Sequence, residues 1–398
     1  MLRGTNLPSV GAYNQTVVFE LIRRAEQGIS RAELAVSSGL SAQTVSNTAA
    51  RLIDGGLIVE AGTHIQGRGK PPVMLCLEPR SRFAVGVNLD AAFVSYVLLD
   101  LAGNVVASAH RRTPSLDDPD TVVVEMVAEI DALVASASVD RSLILGIGVV
   151  SPGPIDGERG IVLGHPLLKG WHNVPLRDAI AERTGLEVVF ASAVNAAAVA
   201  ELWIGEPGRR DFALVYMATG IGTGLVVGGN VIFGPTGNAG DGGTTVVPDS
   251  GVPNAKSQMV GHLVMAEFLV QQAVDEGVLS PGGDVDVQFD ALLSAATAGV
   301  GGALRIFQRA GRNLGSMIAT LVNLLDITEI VFGGAYWERI APLVLPSVTY
   351  VAQTSDLRST HNEIKISTST IGAEVPAVGA ACLVLDTVLS PRTSSMLL

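Results

Sequence analysis

The stretch Ser30–Leu57 constrains the fold more than any other part of the chain, because it predicts two short helices joined by a tight turn. Ala35, Gly39 and Val45 lie at offsets of zero, four and ten. A helix-turn-helix needs a small residue at the helix crossing, a glycine in the turn and a buried aliphatic residue in its second helix, in that order. The spacing therefore favours a helix-turn-helix, although a helical hairpin that only packs is the alternative.

The second helix of this motif, Ser41–Ile53, is the candidate DNA-reading element. Ser41 is suited to cap this helix, as Ser30, three residues before Glu33, is suited to start the preceding one with a capping box. A helix of this kind enters the major groove and presents hydrogen-bonding side chains to bases and phosphates. We predict base contacts for Gln43, Thr44 and Asn47, phosphate contacts for Ser41, Ser46 and Arg51, and a further position on the DNA surface for Arg31.

Residues 14–27 have helical apolar spacing and predict a support helix before the motif. After the motif, IVEAGTHIQGRGKPPVMLCLEP predicts two short strands around a glycine- and proline-rich tip, which is typical of a wing. Arg68 and Lys70 make that tip basic and suit it to a minor groove or to phosphates. An ordinary basic loop is the alternative for the tip alone.

The charge of the chain is unevenly distributed. The 398 residues carry a net charge of −12, but the first 80 contain eight basic and six acidic residues, and the remainder therefore carries −14. The candidate DNA-binding region is thus the least acidic part. Cys76 and Cys382 are the only cysteines, too few for a cysteine-rich zinc site or a disulfide scaffold. The absence of a signal core and of a long apolar run leads us to expect a cytoplasmic protein with no membrane partner.

The rest of the chain has the pattern of a duplicated α/β fold with a cleft between its halves. Strands are predicted in Phe83–Leu99 and in the apolar run Leu143–Val150, which is typical of a buried strand. A second series of strands is predicted to begin at Glu187–Phe190, to continue through Phe212–Met217 and Leu225–Val227, and to end with Glu329–Phe332. The final helix, Ala377–Leu389, is expected to pack back against the first half.

Several segments of this chain closely resemble the ROK family of repressors, open reading frames and sugar kinases. They are GRGKP after the helix-turn-helix, then GIGVVSPGPID, HPLLKGWHNVPL, NAAAVAE, ATGIGTGLVVGGNVIFGPTGNAGD and IVFGGA, in that order. The resemblance implies an α/β protein with an N-terminal winged helix-turn-helix and an actin-like, hexokinase-like domain of two ribonuclease-H-like lobes. The implied divisions are residues 1–80 for DNA binding, 81–190 with the helix 377–389 for the first lobe, and 191–376 for the second lobe, which includes the dimerisation and effector regions.

The chain departs from the family where the sugar kinases carry out catalysis. Ser192-Ala193-Val194-Asn195 stands where they have Asn-Asp-Ala-Asn, and Ala193 cannot accept a proton as the family's aspartate does. Asp90, in the segment matching the first phosphate loop, places a negative charge where a triphosphate should approach. The later turn Gly220–Gly224 is intact and could cradle an anion, or could equally be structural. We therefore expect no kinase activity and no catalytic residue.

The sugar and zinc signatures of the family are also altered. Gly240-Asp241-Gly242-Gly243-Thr244 stands where the family has Gly-Glu-x-Gly-His, and Thr244 cannot ligate zinc as that histidine does. Val247–Lys256, which matches the cysteine-rich stretch of the family, contains no cysteine, and His262 is the nearest imidazole. We expect no metal and no cofactor.

The remaining polar positions define a candidate effector site. It can bind a sugar or a related metabolite by an altered set of hydrogen bonds, or the kinase-like domain can serve only to assemble the DNA-binding heads. The first alternative is favoured because Asn195, Glu201 and Asp241 still resemble the family. The candidate effector residues are Pro152, Gly153, Ser192, Asn195, Thr219 and Asp241.

Together these features predict a transcriptional regulator, more specifically a repressor, that binds double-stranded operator DNA as a homodimer or homotetramer. Two rival hypotheses stay open. One is a bifunctional sugar kinase with a regulatory head, and the other is a regulator controlled by a protein partner with no small-molecule ligand.

Overall fold

The computed structural model describes residues 7–63, 72–113, 118–164, 168, 170–249, 257–356, 358–359 and 362–389. These residues divide into two compact units. The first unit contains the described residues of 1–149, 175–190 and 380–398, and the second those of 150–174 and 191–379. Residues 150–174, assigned from the sequence to the first lobe, group with the second unit, and the predicted domain limits stay predictions.

The described residues of 7–77 form the head of the first unit. The predicted support helix starts at Leu7 and ends at Arg23, where the chain leaves the helix through a turn in which the Gly28 amide donates to the Ala25 carbonyl. The predicted helix-turn-helix and the two strands of the wing are confirmed. The elements are α1 Leu7–Arg23, β1 Ile29–Ser30, α2 Arg31–Ser38, α3 Ala42–Asp54, β2 Ile58–Thr63 and β3 Val73–Leu77, with the sheet order β1-β3-β2.

The next part of the chain contains a five-stranded sheet and its first helices, preceded by a 3₁₀ turn at Pro79–Ser81. The elements are β4 Phe83–Leu89, β5 Phe93–Asp100, β6 Val105–Arg112, α4 Pro119–Ser136, a 3₁₀ turn Arg141–Leu143, β7 Ile144–Ser151, β8 Ile155–Asp156, β9 Ile161–Val162, α5 Leu176–Thr184 and β10 Val188–Ser192.

The remainder of the chain contains a second five-stranded sheet and most of the helices. The elements are α6 Ala193–Ile204, β11 Phe212–Met217, β12 Ile221–Val227, β13 Asn230–Val231, a 3₁₀ turn Gly242–Thr244, β14 Val246–Pro248, β15 Ser257–Met259, α7 Val260–Val264, α8 Ala266–Asp275, α9 Val285–Thr297, α10 Gly301–Leu325, β16 Glu329–Gly333, α11 Ala335–Thr354, β17 Lys365–Thr368 and α12 Val375–Leu389.

The two large sheets share one strand order. Read in the same direction, they run β6-β5-β4-β7-β10 and β13-β12-β11-β16-β17. In each sheet, three strands that are consecutive in the chain pair antiparallel at one side. The first of these three, β4 or β11, also lies beside the next strand of the same sheet, β7 or β16. This repetition confirms the predicted duplication, but the predicted start of the second series at Glu187–Phe190 is wrong. That segment forms β10, which pairs with β7 at the edge of the first sheet, so the second sheet begins with β11.

Close backbone approaches join helices to both sheets. In the first unit a side chain at Gly148 of β7 would overlap the backbone of Ala380 in α12, so only glycine fits this crossing. In the second unit a Cβ at Gly224 of β12 would lie 2.5 Å from the Cβ of Ala198 in α6. The strand β12 is thereby held against α6, which carries the candidate effector residue Asn195 and is preceded by Ser192 at its N-cap.

No single helix within the described ranges is long and apolar enough to cross a membrane. The bent pair of α9 and α10, which meet at 102°, satisfies the same test by length and composition alone.

Candidate functional site

The helix-turn-helix is built by local caps. The Ser30 hydroxyl accepts a hydrogen bond from the Glu33 amide at 3.3 Å, and the Ser30 amide donates to Glu33 Oε2 at 2.8 Å. Gly39 ends α2 at φ +70°, a left-handed conformation that glycine adopts without strain, and its amide donates to the Ala35 carbonyl. Ser41 caps α3 by accepting from the Thr44 amide at 3.1 Å. The predicted capping box, the turn glycine Gly39 and the predicted Ser41 cap are confirmed.

The capping box gives a first testable prediction. The Ser30 hydroxyl accepts from the Glu33 amide and donates to Glu33 Oε2 at 2.7 Å. Ser30→Ala removes both of these bonds, keeps the bond from the Ser30 amide, and should lower the free energy of unfolding of the head by about 1 kcal/mol. Ser37→Ala is the matched control, because Ser37 is exposed on the same helix. Equal stabilities of the two variants in urea denaturation would contradict the role given to the cap.

One face of α3 is buried in the head, and the other is exposed. Val45, Thr48, Ala49 and Leu52 form the buried face. The predicted DNA-contacting residues lie away from it. Ser41, Gln43, Asn47 and Arg51 are exposed, and Thr44 and Ser46 are half-buried.

Two hydrogen bonds link side chains on the exposed part of α3. Gln43 Nε2 donates to Asn47 Oδ1 at 2.9 Å, and the hydroxyls of Ser41 and Thr44 are 2.9 Å apart. These bonds restrict the rotamers of the polar groups before any partner binds, which lowers the entropic cost of ordering them in a complex.

The Arg31 side chain forms an ion pair with the wing and is also partly exposed to solvent. Its Nη2 lies 2.6 Å from Oε1 of Glu60 on wing strand β2. Both side chains are partly exposed, at 34% and 49%, so Arg31 keeps donors for a phosphate. Glu60 was missed by the sequence analysis, because a pairing over 29 residues leaves no local pattern. Arg68 and Lys70, the predicted wing contacts, lie outside the described residues.

The Arg31–Glu60 pair gives a second prediction. Glu60→Gln removes a negative charge beside Arg31 and should tighten binding to any duplex by about 2- to 10-fold at low salt, and less at high salt. Glu26→Gln, an exposed glutamate elsewhere in the head, serves as control. The assignment fails if fluorescence anisotropy shows the same affinity for both variants.

In the second unit, Asn238 connects two loops that carry candidate effector residues. Its Oδ1 accepts from the Ile155 amide at 2.8 Å, and its Nδ2 donates to the Ile155 carbonyl at 2.7 Å. A Cβ at Gly153 would lie 3.2 Å from Asn238 Oδ1, so the segment that includes Pro152 and Gly153 passes close to the amide. Asn238 was not among the predicted site residues, although it lies near the end of the segment ATGIGTGLVVGGNVIFGPTGNAGD.

Two buried polar atoms lie in the first turn of α6 and at its N-cap. Ser192 Oγ and Asn195 Oδ1 have no hydrogen-bond partner among the described residues, and the two side chains are 5% and 0% exposed. Asn195 Nδ2 donates to the Gly237 carbonyl at 3.1 Å, which brings the helix to the loop that contains Asn238. An unpaired buried acceptor costs about 1–3 kcal/mol, and a ligand hydroxyl could satisfy it.

The remaining candidate effector residues, Thr219 and Asp241, lie outside β12, in the segment before it and in a loop bonded to it. The Gly240 carbonyl accepts from both the amide and the hydroxyl of Thr223, at 2.6 and 3.0 Å, and this positions the exposed Asp241. Thr219 is exposed two residues before β12 begins. The contacts described thus connect Pro152–Gly153, Asn195 and Asp241 through the loop 234–241.

The positions that correspond to kinase residues have structural roles. Ala193 is the first residue of α6 and has no ionisable group. Asp90 Oδ1 accepts from the Ala92 amide at 3.0 Å and closes the turn between β4 and β5. Gly222 and Gly224 lie within β12, where their missing side chains let α6 approach. These contacts support the structural interpretation of the intact glycine turn.

Glu201, which also resembles the family, takes part in a buried ion cluster. Its Oε2 lies 3.0 Å from Arg209 Nη1, and the two side chains are 1% and 6% exposed. Arg209 also contacts Glu206 and Glu329, at 2.7 and 3.1 Å. Burial raises the pKa of Glu201, against the opposing effects of the Ser369 hydroxyl and the Arg209 charge.

The altered zinc stretch is only partly described, because residues 250–256 lie outside the described ranges. In the portion that the structure covers, no three His, Cys, Asp or Glu side chains lie close enough to hold a metal ion together. The exposed His262 ring lies 4.5 Å from the ring of Phe268.

Known proteins similar to this chain include a repressor and a glucokinase. The xylose repressor of Caldicellulosiruptor bescii is 26% identical over 372 residues, which cover 91% of this chain and 93% of that repressor. The glucokinase of Halalkalibacterium halodurans is 27% identical over 315 residues, which cover only 76% of this chain but 95% of the kinase. The alignment with the repressor therefore covers more of this chain than the alignment with the kinase does.

A solved structure extends the likeness to the whole fold. The crystal structure of a ROK family transcriptional regulator, a homolog of the Escherichia coli MLC protein, matches with a TM-score of 0.78 at 25% identity and covers 96% of this chain and 98% of that one. The model of the ROK family matches residues 84–387. The resemblance stated from the motifs is thereby confirmed, and this chain belongs to the ROK family.

Proposed function

We propose that this protein is a transcriptional regulator, and specifically a repressor, that binds double-stranded operator DNA through α3 and the wing. The observation that carries the proposal is the helix-turn-helix followed by the wing strands β2 and β3, in which the recognition helix α3 buries one face and leaves a polar face exposed. The repressor named above aligns over nearly the whole chain, which supports this function.

The proposal assigns base contacts to Gln43, Thr44 and Asn47 and backbone contacts to the hydroxyls and cations around them. Side chains that contact phosphates position a protein on DNA, whereas those that contact base edges determine specificity. The backbone set comprises Arg31, Ser41, Ser46, Arg51, Arg68 and Lys70. Two copies of the head, in a homodimer or homotetramer, would read half-sites separated by whole turns of the duplex.

We further propose that the loops around Asn238 bind a sugar or sugar derivative. The unpaired Ser192 and Asn195 oxygens and the exposed Asp241 carboxylate are groups that can pair with sugar hydroxyls. Such a ligand changes DNA affinity only by its differential affinity for two states of the protein. The proposal includes loss of kinase activity, because Ala193 offers no general base. A regulator of this kind works in the cytoplasm, where the chromosome is.

The proposal is tested by fluorescence anisotropy of a duplex from the region upstream of the protein's own gene, with and without sugars, sugar phosphates and polyols. We expect tight, salt-dependent binding and a change in affinity with one class of compound. Asp241→Ala should abolish that change, whereas the exposed Asp356→Ala should keep it. ATP-dependent phosphorylation of any sugar in the panel would revive the bifunctional kinase. Indifference to every compound would favour control by a protein partner.

A further inference from the structure

Four side chains of α3 form a narrow strip along the helix that points directly away from the head, and we call this strip the outer line. At about 100° per residue, Gln43, Asn47, Ala50 and Asp54 lie within roughly 60° of one another, opposite the buried Val45 face. All four are exposed. In a helix docked N-terminus first in the major groove, the first three of these residues would lie nearest the bases.

The first two side chains of this line act as one hydrogen-bonding unit. Because Gln43 Nε2 donates to Asn47 Oδ1, the pair keeps Gln43 Oε1 as an acceptor and both Asn47 Nδ2 hydrogens as donors. An acceptor and a donor side by side match the N6 amino group and the N7 atom of adenine in the major groove. A guanine presents two acceptors there, O6 and N7, and leaves the Gln43 oxygen unpaired.

The third side chain of the line adds an apolar contact. Ala50 lies about one turn beyond Asn47 and two turns beyond Gln43, and exposes a methyl group. An alanine methyl suits the C5-methyl group of thymine, which only A·T and T·A pairs present in the major groove. Lysine and arginine, the side chains that bind guanine through O6 and N7, do not occur on this line, and Arg51 lies about 80° around the helix from Gln43.

We propose that the centre of each operator half-site is A·T, with an adenine read by the linked Gln43–Asn47 amides and a neighbouring thymine methyl contacted by Ala50. This inference rests on the proposed function, since it specifies the base pairs read by the same helix. It concerns direct readout only, and the phosphate contacts are independent of it.

The experiment is selection of duplexes from a random library by the full-length protein, followed by anisotropy with modified versions of the selected site. We expect an A·T core, and a loss of about 5- to 150-fold in affinity when the key pair becomes G·C. Substituting 7-deazaadenine removes N7, and substituting deoxyuridine for thymine removes the methyl group; each should weaken binding of the wild-type protein.

Variants of the protein connect those losses to the named side chains. Gln43→Ala and Asn47→Ala should each remove most of the preference for A·T over G·C, with non-additive effects in the double variant because the amides are bonded to one another. Gln27→Ala, an exposed glutamine elsewhere in the head, should keep the preference.

The possible failures are distinguishable. A selected core rich in G·C, or an A·T preference unchanged in both variants, overturns this inference while leaving a DNA-binding regulator. Failure to select any sequence above the starting library overturns the proposed function itself.

Discussion

Replacing Gly240 with alanine is expected to lower the free energy of unfolding of the second unit by about 3 kcal/mol or more, the sum of backbone strain and overpacking. Gly240 has φ +95°, and a Cβ there would overlap the Thr223 carbonyl oxygen. Relief of that overlap requires the loop to move and disrupts the two hydrogen bonds from Thr223 to the Gly240 carbonyl.

The same substitution should abolish the response to an effector, because the loop from Gly237 to Asp241 carries the partner of Asn195 and a candidate ligand group. Tryptophan fluorescence during urea denaturation reports on this unit alone, since Trp171, Trp203 and Trp337 all belong to it.

A matched control, Gly228→Ala, separates the cost of backbone strain from the cost of steric overlap. Gly228 has φ +61° and open space where a Cβ would be, so Gly228→Ala should cost only about 1–2 kcal/mol. Equal losses of stability in the two variants would show that overlap with the Thr223 carbonyl adds nothing to the loss in Gly240→Ala.

Replacing Arg209 with methionine is expected to cost about 3–5 kcal/mol, because it leaves the Glu201 carboxylate buried without its cation. The Glu201 side chain is 1% exposed and lies 3.0 Å from the guanidinium. The double variant Arg209→Met/Glu201→Gln should recover part of the loss, since it removes the buried charge as well. Lys365→Met, which removes a half-exposed cation from the same cluster, should have a much smaller effect.

The loss in Arg209→Met should depend on pH. Burial already raises the pKa of Glu201, and removal of the Arg209 charge takes away one of the effects that oppose this rise. Above the ordinary glutamate pKa and below the raised one, the folded state binds a proton that the unfolded state releases. Stability therefore falls as the pH rises through that window, and the deficit of Arg209→Met relative to wild type should be smaller at pH 5 than at pH 8. A deficit independent of pH, or equal to that of the double variant, would contradict this account of Glu201.

Local signals in the sequence predicted the head well. The pair Ser30 and Glu33, the turn glycine Gly39 and the cap Ser41 each act within four residues, so their geometry is determined by the chain around them. The start of α1 was missed because the sequence from Leu7 to Tyr13 contains Pro8 and Gly11, which are weak helix formers.

The effector loops could be predicted less completely, because their contacts span long stretches of sequence. Asn238 binds the backbone of Ile155, 83 residues away, and Asn195 binds Gly237, 42 residues away. The sequence named Asn195 and Asp241 only through a family resemblance. The roles of Gly222 and Gly224 in packing against α6 could not be distinguished from an anion cradle until the strand was placed.

The measurement that tests the central claim most directly compares affinities for the selected duplex and a scrambled duplex of equal length, at about 150 mM salt, where electrostatic binding is weakened. We expect the full-length protein to bind the selected duplex at least about 10³-fold more tightly. The Gln43→Ala/Asn47→Ala variant should lose most of that ratio while keeping its affinity for the scrambled duplex. Equal affinity of the wild-type protein for both duplexes would contradict the claim that this chain is a sequence-specific regulator.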